Sequence, residues 1–157
     1  LLSRWKKEHT DIRLPQACFD QVEQAFGPHS VDMFATRDNA LLPRFVSWRP
    51  DPDSIATDAF MFPMKNENPY CFPPVACIPR LLREVLHQQA TITLVAPDWA
   101  APWTPDLRRL LIAPPIRLLN NPTQKGSDFR SWKLTCFRIS GSLLKTLAFR
   151  KAMWTRF

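Results

Sequence analysis

Tyr70-Cys71-Phe72-Pro73-Pro74-Val75 is the stretch whose reading decides the fold. A short apolar run closes on two prolines. Ile78, Leu81, Leu82, Val85 and Leu86 follow at spacings of three, one, three and one, the period of a helix with one buried face. Proline suits the first turn of a helix, where the N–H it lacks has no carbonyl to meet. The stretch therefore predicts a strand end, a rigid turn and a helix ending near Gln89. That puts the turn on the carboxyl edge of a sheet, where open α/β sheets bind ligands. A plain strand-to-helix connection without chemistry fits the same residues.

Outward from it, residues 91–96 form the strongest strand, β-branched and stopped by Pro97. Residues 30–34, 57–60 and 116–119 are shorter strand candidates. A helix begins near Pro15, with Cys18, Val22 and Phe26 on its apolar stripe, and Gly27-Pro28 ends it. Thr104-Pro105-Asp106 opens another through Ile112, with Thr104 as N-cap, Pro105 at the first position and Asp106 facing the positive end. Pro43, Pro50 and Pro52 make residues 41–52 irregular. Strands alternating with helices predict an α/β sandwich with a mostly parallel sheet.

The 157 residues suit one domain with a real core, and sixteen scattered prolines against three glycines are not a low-complexity tract. No apolar run is long enough to span a membrane, and no signal-peptide layout opens the chain. Cys18, Cys71, Cys77 and Cys136 form no C-x-x-C pair and lie far from His9, His29 and His87, so no metal site is expected. Reduced thiols in an intracellular protein are the expectation. The first residue is not methionine and the last lie in a basic helical stretch, as in a piece of a longer protein. Before Arg117 basic and acidic residues nearly balance. From Arg117 onward nine basic residues face a single acidic one, Asp128. Affinity for DNA or RNA is expected in that tail, through Arg130, Lys133, Arg138, Lys145, Arg150 and Lys151. A solubilising linker has the same composition.

Asp32, Asp58 and the Phe72-Pro73-Pro74 turn each end or follow a short strand candidate. In a parallel sheet they converge on one edge, where a carboxylate can hold a ribose hydroxyl. Aspartates also cap turns at such places. Glycine-rich phosphate loops and the Ser or Cys–His settings of covalent catalysis are missing from the sequence.

The order of several phrases carries a resemblance. Phe26-Gly27-Pro28, Val31-Asp32-Met33-Phe34-Ala35-Thr36, Asn39-Ala40, Pro43-Arg44-Phe45, Asp58-Ala59, Phe72-Pro73-Pro74 and Leu94-Val95-Ala96-Pro97 resemble the phage-type DNA adenine methyltransferases. The run from Asp32 to Pro52 is more specifically similar to the methyltransferase-like region of DIRS-type retrotransposon polyproteins. Leu1-Leu2-Ser3-Arg4 resembles the end of a ribonuclease H domain, and Trp132-Lys133-Leu134 through Ala148-Phe149-Arg150 the lead-in to a tyrosine recombinase.

The resemblance implies a Rossmann-like methyltransferase-type sandwich over residues 14–119. Residues 1–13 would then come from ribonuclease H, and residues 120–157 would be a basic tail and helix leading to the recombinase. It implies neighbouring domains of the same polyprotein and nucleic acid as partners, no membrane, and a place in the nucleus or cytoplasm. Active relatives use an Asp- or Asn-Pro-Pro-aromatic turn, whose polar side chain accepts a hydrogen bond from the adenine amine and whose aromatic stacks on the flipped base. Here Phe72 stands at the polar position and Val75 at the aromatic one, leaving the Pro73 carbonyl and Pro74. Asp32, Phe34, Ala35 and Asp58 fall at the cofactor positions, with Phe34 large enough to fill the space of the methionine moiety.

Three readings follow. One is a degenerate, cofactor-free connector module. The second is a nucleic-acid-binding module working through the tail, with Trp132 and Phe137 as stacking surfaces. The third is an active S-adenosylmethionine-dependent DNA adenine methyltransferase with an unorthodox turn. Residues 142–154 form a helix with Leu143, Leu144, Leu147, Met153 and Trp154 on an apolar side.

Overall fold

The computed structural model describes residues 13–118 and 133–154. Pro15 heads helix α1 (Gln16–Phe26), and Gly27 ends it with its N–H on the Glu23 carbonyl. Strand β1 (Val31–Asp32) pairs in parallel with β4 (Pro69–Cys71), and β4 with β5 (Thr91–Pro97). The two-residue strands β2 (Val46–Ser47) and β3 (Ala56–Thr57) make a parallel ribbon. The ribbon continues the sheet beyond β1 through a parallel bridge between Asp32 and Phe45 and the Ala35 N–H on the Val46 carbonyl at 3.2 Å. On the other side β7 (Leu134–Ser140) runs antiparallel to β5, and β6 (Ile116–Arg117) antiparallel to β7. The order across the molecule is β3-β2-β1-β4-β5-β7-β6. Its first five strands run parallel, so the chain is a mixed α/β fold with a mostly parallel central sheet.

Strand side chains alternate between the two faces, and each face finds a cover. On one, Tyr70, Val95, Leu134 and Cys136 meet Leu14, Cys18, Phe19 and Val22 of α1 and the residues before it. On the other, Val31, Met33, Cys71, Ile92, Leu94, Phe137 and Ile139 meet Ile78, Leu81, Leu82 and Val85 of α2 (Ile78–Gln88) and Leu107 of α3 (Thr104–Arg109). The last helix, α4 (Leu143–Trp154), touches this second core through Phe149. Three layers result, helix on sheet on helix.

The structure departs from the sequence reading in several places. Residues 41–52 are not wholly irregular, because Val46 and Ser47 are buried as β2 by pairing with β3. Only Thr57 of the expected strand 57–60 is extended. Asp58 takes a left-handed φ of 70° and accepts the Phe60 N–H at 3.0 Å, which starts a 3-10 turn, Ala59–Met61. α3 stops at Arg109 instead of Ile112, since Leu111 bridges to Ile139 and the Ile112 N–H reaches the Arg138 carbonyl at 2.9 Å. Thr104 does not cap it. Its hydroxyl donates to the Trp99 carbonyl at 2.9 Å and accepts the Ala101 N–H at 3.0 Å. Lastly, the stretch read as a basic tail contains β7, a buried seven-residue strand between β5 and β6. The domain therefore runs past residue 119.

Candidate functional site

The strand order reverses between β1 and β4, and at such a switch point the loops leaving neighbouring strands part in opposite directions and open a crevice. Asp32 ends β1 and is in register with Tyr70, and the Met33 N–H bonds the Tyr70 carbonyl at 2.9 Å. Phe72, Pro73, Pro74 and Val75 leave β4 beside it. Pro74 is extended (φ −55°, ψ 143°), and its carbonyl accepts the Cys77 N–H at 2.9 Å to start the 3-10 turn Val75–Cys77, which runs into α2. The two groups singled out from sequence thus share one edge.

The edge is packed. Asp32 is 3 % exposed. Its Oδ2 accepts the Leu41 N–H at 3.1 Å, while Oδ1 is buried without a hydrogen-bond partner among the described residues. Burial lifts its pKa to about 6, against the opposing pull of the nearby Leu41 and Phe34 N–H groups and the Arg13 charge. Phe34 lies edge-on to Phe60, with ring centroids 5.9 Å apart and planes at 69°. The Arg80 guanidinium covers the other ring 4.1 Å from its centroid. Ala35 is buried and its N–H is spent on β2. Phe72 packs toward the α1 side and Val75 toward the α2 side, so the turn presents no polar side chain. Asp58 reaches the same edge from β3, with β2 between it and β1, and acts as a turn cap.

The S-adenosylmethionine site that the resemblance implies does not fit these residues. The Met33 and Ala35 N–H groups close sheet bonds, Leu41 occupies one oxygen of Asp32, and Phe34 stands with Phe60 over the edge. Covalent chemistry through Cys18, Cys71 and Cys136 is disfavoured, because burial raises their pKa values, the last to about 12. A solvent-open cavity of about 470 Å³ lies elsewhere, against Pro50, Asp51, Pro52, Ile55 and Thr57 at β3.

The basic residues do not gather at this edge. Arg138, expected as a phosphate contact, turns inward, donating to Asn68 Oδ1 at 2.7 Å and Thr93 Oγ1 at 2.9 Å. Lys145 Nζ donates to Thr91 Oγ1 at 3.1 Å, and Arg150 Nη2 to the Arg109 carbonyl at 2.7 Å. Lys133 is exposed with φ at 50° ahead of β7, and Lys151 is exposed on α4. Arg130 and Trp132 lie outside the described residues.

Sequence reasoning missed a polar network at the opposite, amino edge. His29 Nε2 meets Thr93 Oγ1 at 2.7 Å, and His29 Nδ1 meets Glu23 Oε1. Arg138 joins through the same threonine, and Asn68 Nδ2 donates to the Phe26 and Pro28 carbonyls at 3.0 and 2.9 Å. Burial lowers the His29 pKa, and the partners assign a neutral ring that donates to Glu23 and accepts from Thr93. Glu23 and His29 are six residues apart, but Asn68, Thr93 and Arg138 lie far from them in sequence, so no local spacing announces the network.

Among the described residues no cluster of His, Cys, Asp or Glu is arranged to hold a metal ion, and no helix is long and apolar enough to cross a membrane. No protein-family model matches the chain, and no curated protein matches it either.

Proposed function

We propose that this chain is a catalytically silent methyltransferase-like module of a DIRS-type retrotransposon polyprotein. In that reading it connects ribonuclease H and tyrosine recombinase domains during replication and integration of the element, in association with nucleic acid. The observation that carries the silent reading is the Phe34–Phe60–Arg80 stack across the carboxyl edge, beside a Phe72-Pro73-Pro74 turn without a polar side chain. Methyl transfer to an adenine amine needs an acceptor that draws on its N–H bonds, and losing one such positioned group typically costs orders of magnitude in rate. Phenylalanine supplies none. The Rossmann-like strand order, with Asp32 and the Pro-Pro turn at its reversal, supports common architecture with active enzymes.

Calorimetric titration of the chain with S-adenosylmethionine at low salt tests it. No heat and no shift in melting temperature are expected. Micromolar binding followed by methylated adenine in DNA would overturn the silent reading.

A further inference from the structure

α4 meets the body of the protein through buried Thr146, through Phe149, and through the Lys145 and Arg150 side chains. Its outer side leaves Leu143 67 %, Leu144 82 %, Leu147 48 % and Trp154 85 % exposed. Leu143, Leu147, Arg150 and Trp154 follow at intervals of four, three and four residues, the spacing of a seam along which one helix packs on another. Leu144 and Lys151 flank that seam on the same side. The helix contains no Asp or Glu, only Lys145, Arg150 and Lys151. Two of these cations are fixed by bonds to a hydroxyl and a carbonyl, neutral acceptors that hold them in place without cancelling their charge.

We propose that the outer face of α4 docks an amphipathic helix of a partner protein, one with acidic side chains beside its apolar stripe. Three exposed leucines and a tryptophan gain from apolar cover, which a phosphate backbone does not give. A second copy of this helix would bring Arg150 and Lys151 against their like charges, whereas an acidic helix complements them. A charged residue in the middle of an apolar seam fixes register when its opposite charge faces it, so Arg150 selects the partner's alignment. Twelve residues at about 1.5 Å each give a contact of about 18 Å, three turns, enough for the anchors of a helix-on-helix interface.

Two synthetic amphipathic helices test this, both with leucines on the seam, one flanked by glutamates and the other by lysines. Each is fluorescently labelled and titrated with the whole chain at physiological ionic strength. The glutamate peptide should bind at least about ten-fold more tightly. Leu144→Asp and Leu147→Asp, at exposed positions, should each weaken it about ten-fold with melting temperature unchanged, and Arg150→Glu should reverse the preference. Failure of the glutamate peptide to bind, equal binding of the two, or binding that survives both aspartate variants would overturn the proposal. So would self-association, or capture of a duplex oligonucleotide, that is lost in those variants.

Discussion

Folding lifts the Asp32 carboxyl from its ordinary 3.8 to about 6, which at about 1.4 kcal/mol per decade withholds about 3 kcal/mol from the folded state above pH 6. A raised carboxyl pKa contributes stability that is whole below about pH 4 and lost as pH rises through 6. His29 works the other way. Its folded pKa lies below the ordinary 6.5, so stability is lost as pH falls through that value. Comparing a variant with the parent cancels the histidine. Asp32→Asn keeps an acceptor for the Leu41 N–H and removes the buried charge. We expect a gain of about 1 kcal/mol or more at pH 7.5 and a difference that shrinks by pH 4.5, read from urea denaturation at both pH values. A loss at pH 7.5 would mean that the carboxylate has a partner worth more than its burial costs. This residue could be singled out in sequence because it is the carboxylate of a short strand candidate, residues 30–34. Its burial was not legible there, because the chain that returns to cover it, residues 36–42, has no periodicity.

At the scale of elements, β5 and α2 were readable because each carries an unbroken local pattern. β2 and β3 were not, since two residues cannot display a period and are extended only through each other. β7 escaped for a different reason. It is covered on both faces, so hydrophobic alternation is weak, and its arginine reads as part of a charge run until Asn68 and Thr93 are seen to receive it. The junction after it is demanding. A Cβ at Gly141 would stand 2.2 Å from the Val85 carbonyl oxygen and 2.9 Å from the Leu86 Cα, both backbone atoms of α2. The Gly141 N–H also bonds the Ala90 carbonyl at 2.8 Å, pinning the strand exit to the end of that helix. Gly141→Ala must therefore displace α2 from β7. We expect a loss of about 3 kcal/mol or more, or no soluble folded protein, measured by chemical denaturation.

For the whole molecule, the formal charge of +7 overstates what faces outward as a phosphate surface. Arg138 is an internal strut, and its replacement separates structure from binding. Arg138→Gln leaves Thr93 and Asn68 without their charged donor, and we expect a stability loss of about 2 kcal/mol. At a temperature where the variant is still folded, the salt dependence of oligonucleotide affinity should match that of the parent. A slope reduced by about one would show that Arg138 does meet phosphate. Charge counting in sequence cannot make this distinction, because the groups that receive the guanidinium lie 70 and 45 residues away.

The position of β7 also dictates how the molecule comes into being. β5 meets β7 along all seven of its residues, and within the sheet β6 pairs with β7 alone. On the ribosome, β5 is finished more than forty residues before its partner is complete at Ser140. Until then the longest edge of the sheet is a bare template, and the half already made cannot close. Assembly of the sheet waits for β7, so a nascent chain keeps the β5 edge exposed until Ser140 has been made.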